Sequence, residues 1–293
     1  AVAAGVVAAA GKNLSIQHLE GGNVAEVLVG EGQRVKAGDA LFRLDRTQLQ
    51  SQLNRLVKAK SSFSARAARL EAERDGKKEL IFPDAIAATI DAEIVAIAAE
   101  QTNDFLSGLN RHQTELAILD QRVRALEESI TGVTAQKKAA EDQLAIVEEE
   151  IVRKKGLLDK GLTDRSQFAA LMRNQAELLG QTGAAASEIA RAKTQIVESR
   201  QQTERAITQR VEQASKDLTE VRRQEADYDE QIFAARALLD RTVVTAPVDG
   251  IVIAMNITST GSVVRPGETL LELLPTTKDL IVEARMDTRE VDN

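Results

Sequence analysis

Apolar residues in the middle of the chain recur at alternating steps of three and four. Residues 91–154 keep this spacing from Val95 onward, and residues 164–241 resume it after a short break. Such a narrow stripe is typical of a coiled-coil seam, whereas a helix in a globular protein has a broader apolar face. The pattern predicts two long helices, over 91–157 and 164–241, that pack along a common seam.

The apolar pattern of the second helix changes phase once. It runs from Phe168 to Ile196 and is resumed at Ile207 and Val211. A phase change of this kind is typical of a stutter, which locally unwinds the supercoil. We therefore expect Ile207 and Val211 to lie on the seam.

Two glycines, Gly156 and Gly161, separate the predicted helices. Residues 156–163 are therefore predicted to form a turn, with Thr163 as the N-cap of the second helix. At a rise of 1.5 Å per residue the helices are about 100 and 115 Å long, and such similar lengths suit an antiparallel hairpin. A shorter helix is predicted over 47–75. The extended segment 76–90 would return the chain to the base, giving three helices near the base and two toward the tip.

The two ends of the chain contain glycine and proline, show strand spacing, and repeat each other. A single inserted residue aligns the two copies, which place the same residue types in the same order. One copy would leave an apolar face open, whereas two facing copies can close a small sandwich. The helical region is then an insertion between two halves of one β-domain. The aligned positions are Gly22, Val24, Val35, Gly38, Leu41 and Leu44 in the first copy, and Gly250, Val252, Val264, Gly267, Leu270 and Leu273 in the second.

Composition and motifs narrow the function. Aromatic residues are 2% of the chain, cysteine is absent, and the net charge is −7 without a basic cluster, so a nucleic-acid partner is not expected. No P-loop, nucleophile elbow or HExxH motif occurs. His112 lies on the predicted seam as a core histidine, and His18 has only Glu20 nearby, whereas metal sites need three or four ligands. We predict no catalytic residue, cofactor or metal, and a chain that is not an enzyme.

The β-repeats resemble the lipoyl and biotinyl carrier fold in the segments EGQRVKAGDALFRLD, at 31–45, and APVDGIV, at 246–252. Carriers of this kind hold a modified lysine on the turn that joins the two halves. In this chain about two hundred residues occupy that joint, and Lys36 lies inside the first repeat. A carrier explains the repeats but not the insertion, so neither lipoate nor biotin is expected on the chain.

The whole chain resembles the HlyD-like membrane fusion proteins of type I secretion systems, in the branch that serves protease and lipase exporters. The residues that carry the resemblance are QHLEGG at 17–22, the two repeats, TAPVDGIV at 245–252 and LIVEARMDTREVD at 280–292. It implies an elongated α+β fold. A lipoyl-like sandwich, 14–45 and 242–274, is split by an antiparallel coiled-coil hairpin, 46–241. A partial, membrane-proximal β-barrel would comprise 1–13 and 275–293.

The resemblance also implies a role and partners. Family members are periplasmic adaptors that link an inner-membrane ABC transporter to a TolC-like outer-membrane channel for protein export, and they assemble into hexamers. An N-terminal transmembrane helix, absent from this sequence, would anchor the protein in the inner membrane. The family's hairpin tip has an Arg–Leu–Ser/Thr pattern that docks with the channel, and Arg153, Leu157 and Thr163 match it.

Other functions compete with this interpretation. A drug-efflux adaptor is the principal alternative, although the additional helix at 47–75 favours secretion. A coiled-coil arm of a chromosome-structural ATPase would explain the hairpin, but that class has a nucleotide-binding head with a P-loop, which this sequence lacks.

Overall fold

The computed structural model describes residues 13–276 in full and residues 5–9 and 280–284 as paired strands. The chain divides into two units, Ala1–Ser61 with Gln224–Asn293, and Ser62–Arg223. The elements, in chain order, are β1 Gly5–Ala9, β2 Leu14–Gln17, β3 Gly22–Val27, β4 Arg34–Val35, β5 Ala40–Leu44, α1 Thr47–Arg74, α2 Asp84–Ala87, α3 Ala92–Leu158, α4 Arg165–Arg241, β6 Val243–Thr245, β7 Gly250–Met255, β8 Val263–Val264, β9 Thr269–Pro275 and β10 Leu280–Ala284.

Strands β2 to β9 form two four-stranded sheets. The strand orders are β2–β9–β7–β4 and β6–β5–β3–β8, so each sheet contains strands from both ends of the chain. Exchanging β2 with β6, β3 with β7, β4 with β8 and β5 with β9 converts one sheet into the other. The split sandwich with a helical insertion, predicted from the sequence, is thereby confirmed.

The sequence repeat corresponds to this internal symmetry. Leu41 on β5 and Leu270 on β9 are equivalent and fully buried in one core. Gly38 and Gly267 precede these strands with φ of +90° and +76°, a region that favours glycine. Because each half alone exposes one apolar face, the two halves have to fold together.

The strands nearest the termini pair with each other. β1 and β10 are antiparallel, and Gly5 lies opposite Ala284. The remainder of the partial barrel expected over 1–13 and 275–293 lies largely outside the described residues.

The helices pack differently in the two units. In the first unit α1 packs on α4, where Leu53, Ile232 and Ala235 form a buried cluster. In the second unit α3 starts beside α1, because Ile94 packs against Ala65 and the short helix α2. The segment after α1 thus returns the chain as far as Ala65, and α1, α3 and α4 lie together over the second half of α1.

The seam of α3 follows the predicted spacing except at its start. Every predicted position from Ala98 to Lys154 is buried or half-buried, and Phe105 is fully buried. Val95 is 49% exposed, whereas its neighbour Ile94 is 7% exposed. The prediction for Val95 is wrong because α1 and α2 cover the side of α3 that precedes the seam.

The seam of α4 departs from the apolar pattern after Ile196. It continues through Ser199 and Thr203, and Ser199 is fully buried. Ile207 and Val211, the residues expected there, are exposed, so that prediction is wrong. The phase changes nearer Leu218, where α1 packs against α4 and widens the buried face. Hydropathy alone could not identify a seam made of small polar residues.

Candidate docking site at the hairpin tip

The turn between α3 and α4 is closed by two backbone hydrogen bonds. The Leu162 N–H donates to the Leu157 carbonyl at 3.0 Å, and the Gly161 N–H donates to the Leu158 carbonyl at 2.9 Å. Gly161 has a φ of +70°. This pattern is a Schellman motif, which satisfies the carbonyls at the end of a helix and requires a left-handed residue, usually glycine. The backbone of Leu157 is therefore part of the turn itself.

Asp164 caps the second helix. Its carboxylate accepts a hydrogen bond from the Ser166 N–H at 3.1 Å and another from the Ser166 hydroxyl. These two bonds, that from the hydroxyl first, hold the pKa of Asp164 below its usual value. Thr163, the expected N-cap, instead donates its hydroxyl to the Gln167 Oε1 at 3.4 Å. The cap lies one residue later than predicted because Asp accepts from a main-chain N–H at this turn.

The coiled-coil seam ends in polar contacts just below the turn. Lys154 occupies the last seam position of α3, and its Nζ donates to the Gln167 Oε1 at 2.8 Å. The same oxygen accepts from Thr163, so Gln167 joins the ends of both helices. These hydrogen bonds stabilise the turn within one molecule, without a contact to a partner.

Arg153 and Leu157 lie on one side of α3 near its end. Their side chains are one helical turn apart, which places them next to each other on the helix surface. Arg153 is exposed, and its guanidinium lies 4.0 Å from the Glu149 carboxylate, a distance that allows only a weak ion pair. Leu157 is 42% exposed. The structure thus brings together an accessible cation and an accessible apolar side chain, with Thr163 across the turn.

Two further apolar side chains at the tip were missed by sequence reasoning. Val152 is 72% exposed and Leu162 is 71% exposed. Val152 lies between the seam residues Ile151 and Lys154 and cannot reach α4. Leu162 follows the left-handed Gly161, and its N–H makes the longer of the two hydrogen bonds of the Schellman motif. In the sequence, an apolar residue directly after a glycine that ends a helix was the sign that could have identified Leu162 as a residue of the turn.

Neither of the two histidines is part of the tip. His18 is buried in the first unit, and its Nε2 donates to the Arg241 carbonyl at 3.1 Å. Glu20 is 3.9 Å from the same nitrogen and 3.1 Å from the Arg241 guanidinium, so these residues join β2 to the end of α4. His112 is half-buried on the seam, and burial, followed by the charge of Arg210, lowers its pKa. Within the described ranges no cluster of three possible ligands forms.

Several known proteins are similar to this chain in sequence or in architecture. The family model described as "AprE, long alpha-helical hairpin" matches residues 49–238. The chain belongs to this AprE family. The type I secretion system membrane fusion protein PrsE of Rhizobium meliloti is 35% identical over 99% of this chain and 66% of its own length. The alkaline protease secretion protein AprE of Pseudomonas aeruginosa is 28% identical over 96% of this chain and 66% of its own length. The chain thus spans just under two thirds of these relatives.

A solved structure shows the same AprE-family fold. The soluble domain of LipC, a membrane fusion protein of a type I secretion system, superposes with a TM-score of 0.86. It is 26% identical, and the match covers 90% of this chain and all of LipC's. The resemblance to the membrane fusion proteins of type I secretion systems, inferred from the sequence, is confirmed. No described helix is long and apolar enough to cross a membrane.

Proposed function

We propose that this chain is the periplasmic adaptor of a type I secretion system. It links an inner-membrane ABC transporter to a TolC-like outer-membrane channel, through which a protein cargo is exported. Copies of the chain assemble around this path as a hexamer, and an N-terminal transmembrane helix of the protein anchors each copy in the inner membrane. The family membership and the names of the relatives support this proposal.

The domains take separate roles in the proposed adaptor. Residues 14–45 and 242–274 form the lipoyl-like domain, and 46–241 form the hairpin that reaches toward the channel. Residues 1–13 and 275–293 belong to the membrane-proximal barrel. The sandwich core and the continuous helix α3, with 67 residues, support this division.

The exposed apolar tip is the observation that carries the docking role. Val152, Leu157 and Leu162 expose apolar surface at the turn, although Lys154 and Gln167 already close the seam there. Exposed apolar side chains rimmed by polar residues are typical of protein interaction sites. Arg153 beside them can donate charge-assisted hydrogen bonds to a carbonyl or carboxylate of the channel. Thr163 positions Gln167 and thereby the turn.

Secretion by tip variants tests the proposal. We expect Arg153→Asp and Leu157→Asp each to abolish cargo export in a strain that lacks the native adaptor, because each places a negative charge in the contact. Both side chains are exposed, so helicity and thermal unfolding should change little.

Leu106→Asp is the matched control. Leu106 is an exposed leucine on α3, far from the turn along the helix. It should leave export intact. Normal export by folded Arg153→Asp and Leu157→Asp variants would contradict docking at the tip.

A further inference from the structure

A face of α3 is covered by α1 along only part of its length. The Arg69 Nε donates to the Gln101 Oε1 at 2.9 Å, and Gly108 lies beside Glu73. Gln101 and Gly108 each immediately precede a seam residue, so α1 packs on the side of α3 that precedes the seam. Helix α1 ends at Arg74, near Gly108, whereas α3 continues to Leu158, about 14 turns further on.

Beyond α1 the same side of α3 is exposed and has apolar or small residues at every second position that precedes the seam. We name it the α3 stripe. Ile118 and Ile146, at its two ends, are 61% and 63% exposed. The residues between them that also precede the seam are uncharged except for Arg122. At seven-residue intervals the stripe consists of Ile118, Ala125, Gly132, Ala139 and Ile146.

Helix α4 has a second uncovered apolar stripe, formed by the residues that immediately follow its seam positions from Ala169 to Val197. We name it the α4 stripe. Leu179 and Val197 are 50% and 54% exposed. Lys193 is its only charged residue. Its central members are Met172, Ala176, Leu179, Gly183, Ala186 and Ala190.

The two stripes lie on opposite sides of the hairpin. Glu127 and Arg200 each follow a seam residue, and they form an ion pair at 3.0 Å. Positions that follow seam residues are therefore on the same side of both helices. The α4 stripe is on this side, whereas the α3 stripe, whose residues precede the seam, is on the other. A contact between the stripes can form only between two molecules.

The glycines of the stripes are not packed against any other segment in the described part of the chain. Gly132 and Gly183 are in helix interiors, where glycine is a poor residue, and a Cβ at either position would meet no atom within 4 Å. Glycine on an outer helix face allows another helix to approach closely.

The stripes also match in height and charge. Ile146 is level with Leu179, because their neighbours Val147 and Leu178 pack in one seam cluster. Arg122 is level with Glu204, which continues the α4 stripe below Val197, since both lie about one turn below the Glu127–Arg200 pair. A neighbouring copy at the same height would thus bring apolar residues together and pair the opposite charges.

We infer that the α3 stripe is covered by the α4 stripe of a second copy of this chain. Helix α1 covers this side of α3 near Gln101 and Gly108. The α4 helix of the neighbouring copy would cover the same side of α3 closer to the tip, where α1 no longer reaches. Because each copy uses two different surfaces on opposite sides, the contact is heterologous and propagates from copy to copy until a ring closes. The inference rests on the proposed adaptor function, since it names the surfaces through which adaptors assemble.

Cysteine cross-linking tests this contact, because the native chain contains no cysteine. In Ile146→Cys/Leu179→Cys the two thiols of one molecule are on opposite sides of its hairpin. Oxidation should therefore produce a ladder of dimers, trimers and larger covalent species on a non-reducing gel, at protein concentrations that favour assembly.

Two controls define the surfaces. Ile146→Cys/Gln181→Cys places both thiols on the α3-stripe side and should form no ladder, because Gln181 precedes a seam residue. Adding Gly183→Leu to the first pair should abolish the ladder without lowering the thermal midpoint. Adding Gly180→Leu should leave the ladder intact, since Gly180 is equally open but lies outside both stripes.

The outcomes separate this inference from the proposed function. The contact is overturned if Ile146→Cys/Leu179→Cys forms no ladder at the highest soluble concentration, or if Ile146→Cys alone gives dimers in equal yield. Loss of export in the tip variants without a ladder would leave the adaptor role standing. A ladder together with normal export by those variants would instead overturn docking at the tip.

Discussion

At the scale of single residues, Asp164 determines where α4 starts. Hydrogen bonds from Ser166 hold the pKa of Asp164 below its usual value. The stabilisation by this cap is therefore present at neutral pH and is lost as the pH falls through the lowered pKa of the folded state. We expect Asp164→Ala to accelerate amide hydrogen exchange in the first turn of α4 at neutral pH. Asp164→Asn, which retains an acceptor oxygen, should have a smaller effect.

Thr163→Ala is the control for this assignment. Thr163 bonds to a side chain rather than to the helix backbone, so exchange in the first turn should stay close to wild type. If the amides of the first turn exchanged faster in Thr163→Ala than in Asp164→Ala, Thr163 and not Asp164 would be the N-cap.

Equivalent residues of the two β-repeats should contribute equally to stability. Leu41 and Leu270 are related by the internal symmetry, and both are fully buried in one core. We expect Leu41→Ala and Leu270→Ala each to lower the free energy of unfolding by about 2–5 kcal/mol. Val263→Ala, at an exposed strand position, should stay within about 0.5 kcal/mol of wild type. Urea denaturation measures both losses, and clearly different losses of unfolding free energy in the two variants would contradict this expectation.

At the scale of elements, the start of α3 is defined by its contact with α1 and α2. Ile94 packs against Ala65 and Ile86, whereas Val95 is half exposed. We expect Ile94→Ala to cost about 2–5 kcal/mol, since it leaves a cavity in this cluster. Val95→Ala should cost no more than about 0.5 kcal/mol. Thermal unfolding followed by far-ultraviolet circular dichroism compares the stabilities of the two variants. A larger loss of stability in Val95→Ala than in Ile94→Ala would support the seam through Val95 that the sequence predicted.

At the scale of the whole molecule, the helical hairpin stands in place of the turn on which lipoyl and biotinyl carriers hold their modified lysine. β5 ends at Leu44 and β6 begins at Val243, so no short turn joins the two halves. We expect chain produced in cells with active ligases to have the intact mass of the unmodified protein, 31.8 kDa. A carrier domain produced in the same cells, which should gain its group, is the control. A stoichiometric lipoyl or biotinyl increment on this chain would contradict the prediction.

The sequence by itself determined the architecture. The β-repeat specified a two-part sandwich because each strand must turn its apolar side toward one core, as Leu41 and Leu270 do. The steps of three and four identified the hairpin and most of the α3 seam, because only that spacing keeps a stripe facing a partner helix. Arg153, Leu157 and Thr163 were selected as candidate docking residues only by the resemblance to the family's tip pattern, because the seam spacing by itself does not distinguish them from other residues off the seam.

Only the tertiary structure decided which side of each helix is covered. Ile94 rather than Val95 is buried because α1 and α2 pack against this part of α3. Ser199 occupies a seam position where an apolar residue was expected, and its small side chain is fully buried there. Asp164 rather than Thr163 caps α4 because of where the Schellman turn ends. Each of these depends on contacts between segments distant in sequence or on the path of one turn, and hydropathy reports only which residues avoid water.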